Sequence, residues 1–139
     1  MYRQSQIWFI TLTFLVVSAG CKEEIKLSDV EVRVCQRLYK STFEQKKIQS
    51  ELTGHESMLK TKYNGLKQHK KGTQNYKQIS FDIEYLKDII DPLKLKVRSL
   101  AYQIKSHKRK LPPEFAHPPE GQEIQFPEYC IPRELAGKK

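Results

Sequence analysis

The chain has 139 residues and a formal net charge of +9, with 25 Lys and Arg against 16 Asp and Glu. That length allows one domain. Hydrophobic residues make up 38% of the chain, Gly is scarce and Lys abundant, which argues against a large globular core or a sheet and suits long helices.

The first twenty residues have the three-part layout of an export signal. Arg3 and the α-amino group supply a positive start. Ile7 to Val17 form an uncharged, almost wholly apolar run, and Ser18-Ala19-Gly20 are small residues suited to cleavage. A membrane-spanning helix needs roughly 20 apolar residues, and this run is shorter. Residues 1–20 are therefore expected to direct export and be removed. Removing Arg3 with them lowers the formal charge from +9 to +8.

Ser18-Ala19-Gly20-Cys21 resembles the lipobox of bacterial lipoproteins, with Ser18 where that family favours Leu. The resemblance covers residues 1–21. It implies that Cys21 carries diacylglycerol on its thiol, that the chain is cut just before it, and that its new amino group is acylated, often with palmitate. Two or three acyl chains at about 0.8 kcal/mol per buried CH₂ make a stable anchor. Lys22 after the cysteine is unlike the Asp associated with inner-membrane retention in enteric bacteria, so outer-membrane sorting is expected in a diderm host. The other reading is an ordinary signal cut after Ala19 or Gly20 and a soluble secreted protein. No metal or cofactor is implied beyond these acyl chains.

Residues 21–29 form a charged tether ending in Ser28 and Asp29, both good helix N-caps. From Val30 to Lys71 there is no proline. Val34, Leu38, Ile48, Leu52, Leu59 and Leu66 fall on alternating steps of three and four or their multiples, while Ser41, Gln45, His55 and Lys62 make the seam leaky. Val30 to Val34 (VEVRV) alternates as a strand would. The long context favours helix. Gly72 suits the C′ position of this helix, with basic residues before it complementing the helix end.

Tyr76, Ile79, Ile83, Leu86, Ile90, Leu93, Val97, Leu100 and Ile104 then alternate steps of three and four over four heptads. This narrow stripe is an a/d coiled-coil seam. Pro92 lies on the opposite side of the same helix. Its ring and missing N–H predict a kink, without a change of phase. The two segments are out of phase with each other. A turn near Gly72 absorbs the difference and gives an all-α, antiparallel two-helix coiled-coil hairpin over residues 30–110. The alternative is a long kinked helix that associates in parallel.

Residues 111–139 hold six of the seven prolines and are expected to be largely extended. Phe115, Ile124, Phe126, Tyr129 and Ile131 give this tail apolar points with which to fold back over Val30, Val32 and Tyr39. If Cys21 carries lipid, Cys35 and Cys130 remain. Export to an oxidising compartment and a turn near Gly72 then predict that these two pair.

Catalytic chemistry is not expected. His55, His69, His107 and His117 lack metal-ligand spacing, and no phosphate loop or nucleophile elbow is present. An exported basic protein is expected to meet anionic envelope surfaces, not nucleic acid or a small-molecule substrate. Lys105, Lys108, Arg109 and Lys110 are the best candidates for such a contact, though cations at a helix C-terminus also complement its dipole. The expected function is a lipid-anchored structural or adaptor element whose coiled coil meets a protein partner or a second copy. Two other outlines fit the anchor. One is a wall-attached protein similar to the murein lipoprotein, with Lys139 as the point of attachment. The other is a phage spanin-like subunit.

Overall fold

The computed structural model describes residues 25–137. The signal at 1–20, Cys21 and the start of the tether lie outside the described residues, as does Lys139. The described residues form α1 (Asp29–Leu66), α2 (Gln74–Lys108), the single-turn α3 (Pro113–Ala116) and a 3-10 turn (Glu128–Cys130), with no strand among them.

α1 begins at a capping box. The Ser28 Oγ accepts from the Glu31 N–H, and Glu31 Oε2 accepts from the Ser28 N–H at 2.8 Å. These bonds satisfy two groups that a helix start leaves orphaned, and Asp29 and Glu31 complement its dipole. This local chemistry overrides the strand-like alternation of Val30 to Val34. Along α1 the seam positions Leu38, Ser41, Ile48 and Leu52 are buried, and Val34, Gln45, His55, Leu59, Lys62 and Leu66 are partly buried.

The expectation for Gly72 needs correction. α1 ends at Leu66 with no basic residue in its last turn, and its C-cap is Lys67. Leu66 is the last residue of α1 that reaches the seam. Beyond it Lys67, Gln68 and His69 are exposed, and tertiary packing no longer sustains the helix. Gly72 has φ 89°, a left-handed conformation that glycine adopts freely, and it directly precedes Thr73, the N-cap of α2. The Thr73 Oγ1 accepts from the Tyr76 N–H at 3.3 Å.

α2 runs unbroken through Pro92, which is exposed on the face away from α1. All nine seam positions point inward; Ile83, Leu86, Ile90 and Leu100 are buried and the other five partly so. The helices pack antiparallel, so the chain is a hairpin and not a parallel rod. Leu52 packs with Leu86 and Ile90, flanked by Leu59, Leu93 and Val97. Ion pairs clamp the two sides of this seam: Lys62 to Asp82 at 2.6 Å, Lys94 to Glu56 at 2.9 Å and Lys96 to Glu44 at 2.8 Å.

The second apolar cluster closes the open end of the hairpin. Cys35 and Leu38 of α1 pack with Leu111, Phe115, Ala116 and Cys130 of the tail, joined by Val34, Ile104, Ile124 and Phe126. The tail is mainly irregular, with one helical turn where Pro113 fixes the N-terminal φ of α3. Its cover is narrower than expected. Tyr39 meets Phe126 edge to face at 5.1 Å, whereas Val30 remains 62% exposed. Leu27, just before α1, does pack on this cluster, whereas Val30 falls on a face of α1 turned away from it.

Candidate functional site

The chemistry of the described residues concentrates where the tail crosses the hairpin's open end. Cys35 projects from the second turn of α1, and Cys130 is held by the 3-10 turn after Pro127. They are linked as a disulfide with Cα atoms 5.4 Å apart and both side chains fully buried. That separation is ordinary for a disulfide. The Gln36 side chain donates to the Tyr129 carbonyl at 3.0 Å, and the Tyr129 hydroxyl donates to the Ile25 carbonyl at 3.2 Å. The segment just before α1 and the tail are thus tied to the same end of α1.

Two open depressions flank this knot. An aromatic groove of about 490 Å³ lies between α1 and the tail, with Tyr39, Phe43, Ile104 and Phe126 among its walls and Lys108 at one side. Lys46 and Glu123 pair across its rim at 3.1 Å. The second, of about 540 Å³, is lined by Arg33, Arg37, Lys40 and Arg133, with Glu134 its one acid. Lys40 reaches Glu134 only at 4.0 Å, and both side chains are mostly exposed. Three guanidinium groups in one open depression suit bidentate contact with phosphate or carboxylate oxygens.

The basic run near the end of α2 divides on folding. Lys108 is half-buried beside the aromatic groove, while Lys105, Arg109 and Lys110 are exposed. None of the four forms an ion pair among the described residues. His107 connects this run to the arginine depression. Burial, then the charges of Lys110 and Arg37, hold its imidazole below the usual pKa. The arginines at 33, 37 and 133 were not legible as a site, because Arg133 comes from the tail, about 100 positions from the other two in sequence.

Among the described residues no group of His, Cys, Asp and Glu could hold a metal. His55 occupies a seam position, and its buried Nδ1 has no hydrogen-bond partner; Nε2 lies 4.0 Å from Glu51. His69 and His117 are exposed. No helix among the described residues is long and apolar enough to cross a membrane. Cys21 lies outside the described residues, so its environment is not part of this geometry.

The fold and site define a class: an antiparallel helical hairpin whose open end is knotted by one disulfide and lined with basic side chains. No family model, curated protein or solved structure matches this chain.

Proposed function

We propose that this chain is an exported, lipid-anchored protein of the cell envelope that acts without catalysis, presenting its basic coiled coil as a structural or adaptor element. Its anchor is the acylated Cys21, at the membrane facing periplasm or exterior, with the outer membrane favoured in a diderm host. The observation that carries the reading is the pairing of Cys35 with Cys130. It uses both cysteines among the described residues, one from α1 and one from the tail, so Cys21 is the odd one in a count of three. An odd cysteine in an exported chain calls for such an explanation.

The location of the basic depression supports the same reading. Ile25 is bonded to the tail, so the tether leaves the hairpin at the end that carries Arg33, Arg37, Lys40 and Arg133. An anchor on Cys21 would bring these cations close to lipid head groups. A cation near an anionic membrane surface contributes about 1 kcal/mol. The partners are then the membrane, through lipid and charge, and a protein reached along the rod.

Labelled palmitate tests the reading. Label should enter the wild-type chain and be lost with Cys21→Ser, which should also release the protein from membranes. Label that survives the substitution, or an exported wild type that fractionates as a free protein, overturns it.

A further inference from the structure

α2 carries a second apolar stripe, opposite the seam that packs on α1. Phe81, Tyr85, Leu95 and Tyr102 are 66%, 61%, 65% and 77% exposed. With Asp88, Pro92 and Ser99 they continue a three-four alternation along the outer face. At 100° per residue this row lies about 160° from the buried seam. The outer face of α1 shows nothing similar: Lys47, Ser50, Gly54, Ser57, Thr61 and Asn64 are all exposed and lack a large apolar group. The exposed stripe is thus a property of α2 alone.

We infer that this stripe pairs with the same stripe of a second copy, antiparallel about a two-fold axis. The charges beside it select that occupant and its direction. One flank of the stripe is the column Lys77, Glu84, Asp91, Arg98 and Lys105, spaced by heptads. Glu84, Asp91, Arg98 and Lys105 are exposed and form no ion pair among the described residues. The antiparallel register that sets Tyr85 against Tyr102 of the second copy sets Pro92 against its Leu95 and Asp88 against its Ser99. In that register Glu84 meets Lys105 and Asp91 meets Arg98, and two-fold symmetry repeats both pairs. A shift of one heptad either way sets Asp91 or Arg98 against itself. Parallel pairing sets Asp88 against Asp88 within the stripe. Its flank pairs would also need Asp82 and Lys96, which already bridge to α1.

The area suits a weak, reversible pair. Large apolar side chains of this kind bury about 150–250 Å² each when fully covered, so four that are two-thirds exposed offer roughly 800–1,300 Å² for two copies, at or below the low end of specific interfaces. The pair does not rest on the lipid anchor. It would set the two disulfide-knotted ends at opposite ends of a body about 50 Å long, the length of a 35-residue helix.

Sedimentation equilibrium of the whole chain in detergent, with helicity followed by circular dichroism, tests the pairing. The wild type should be a monomer–dimer mixture in the micromolar range that shifts toward monomer with salt. Arg98→Asp should weaken the dimer by about tenfold, because two symmetry-related attractions become repulsions. The exchange Asp91→Arg with Arg98→Asp should restore it to within a few-fold of wild type. A wild type that stays monomeric throughout overturns the proposal, and so does a mass unchanged by Arg98→Asp or an exchange that weakens the pair further. All substituted side chains are exposed, so helicity should hold in each variant.

Discussion

Lys62 and Asp82 meet across the hairpin near its turn, Nζ to Oδ2 at 2.6 Å. Lys62 is one of the polar residues that interrupt the α1 seam, and α2 answers it with a carboxylate. The Lys62 ammonium, then the Gln78 amide, hold the Asp82 carboxyl below its usual pKa. The stabilisation is therefore complete above the ordinary Asp range, near pH 4, and is lost as pH falls through the lower folded value. Thermal unfolding against pH should show this acid limb in the wild type, and Asp82→Asn should flatten it. An unaltered limb in Asp82→Asn would place the acid sensitivity elsewhere.

The two faces of α2 predict opposite mutational outcomes. Leu86 and Leu100 are buried in the hairpin, and Leu86→Ala or Leu100→Ala should each cost about 2–5 kcal/mol. Phe81→Ala, on the exposed face, should change the stability of the separate monomer by less than about 0.5 kcal/mol. Urea unfolding at a concentration where the chain is monomeric distinguishes them. Equal losses at Phe81 and Leu86 would mean that the outer face packs within one chain.

The disulfide closes a long loop, Cys35 and Cys130 lying 95 positions apart in sequence. Restricting a loop of that size in the unfolded chain contributes up to about 4.7 kcal/mol in the entropic account. Cys130→Ser should lower the melting temperature and free the tail from Tyr39 and Phe43, raising proteolysis between residues 111 and 137. Reductant should do the same to the wild type. A wild type whose melting and cleavage are indifferent to reductant would show that apolar packing alone holds the tail.

His107 gives the knotted end its own pH dependence. Its folded pKa is lowered by burial and by Lys110 and Arg37, so the unfolded chain binds the proton first, near pH 6.5. Stability from this group is full above that value and declines as pH falls through it toward the lower folded pKa. Hydrogen-exchange protection around residues 104–111, corrected for the intrinsic rate at each pH, should fall on acidification, and His107→Gln should remove that fall. Persistence of that loss of protection in His107→Gln would assign it to another group.

The hairpin was legible because nine positions of α2 keep one period without a miss, and the polar slots of α1 fall in line with its leucines. The capping box at Ser28 and Glu31 is also written locally. Gly72 misled because glycine serves either side of a turn, and the helix stops where seam contacts stop. Of the site, the cysteine pair followed from topology, but the arginine depression did not. It joins residues from α1 and the tail about 100 positions apart, a distance that no local pattern spans. The outer stripe of α2 has a readable period, but Asp88, Pro92 and Ser99 interrupt it and mask it as a solvated face.

The central claim is a division of labour among three cysteines, with Cys21 bound to lipid and Cys35 bonded to Cys130. Mass spectrometry of the exported protein, digested without reductant and treated with an alkylating agent, tests it most directly. The account predicts an N-terminal peptide that starts at acylated Cys21 and one disulfide-linked peptide joining Cys35 to Cys130. An N-terminus at another residue with Cys21 alkylated, or alkylation of Cys35 and Cys130 without reductant, would contradict it.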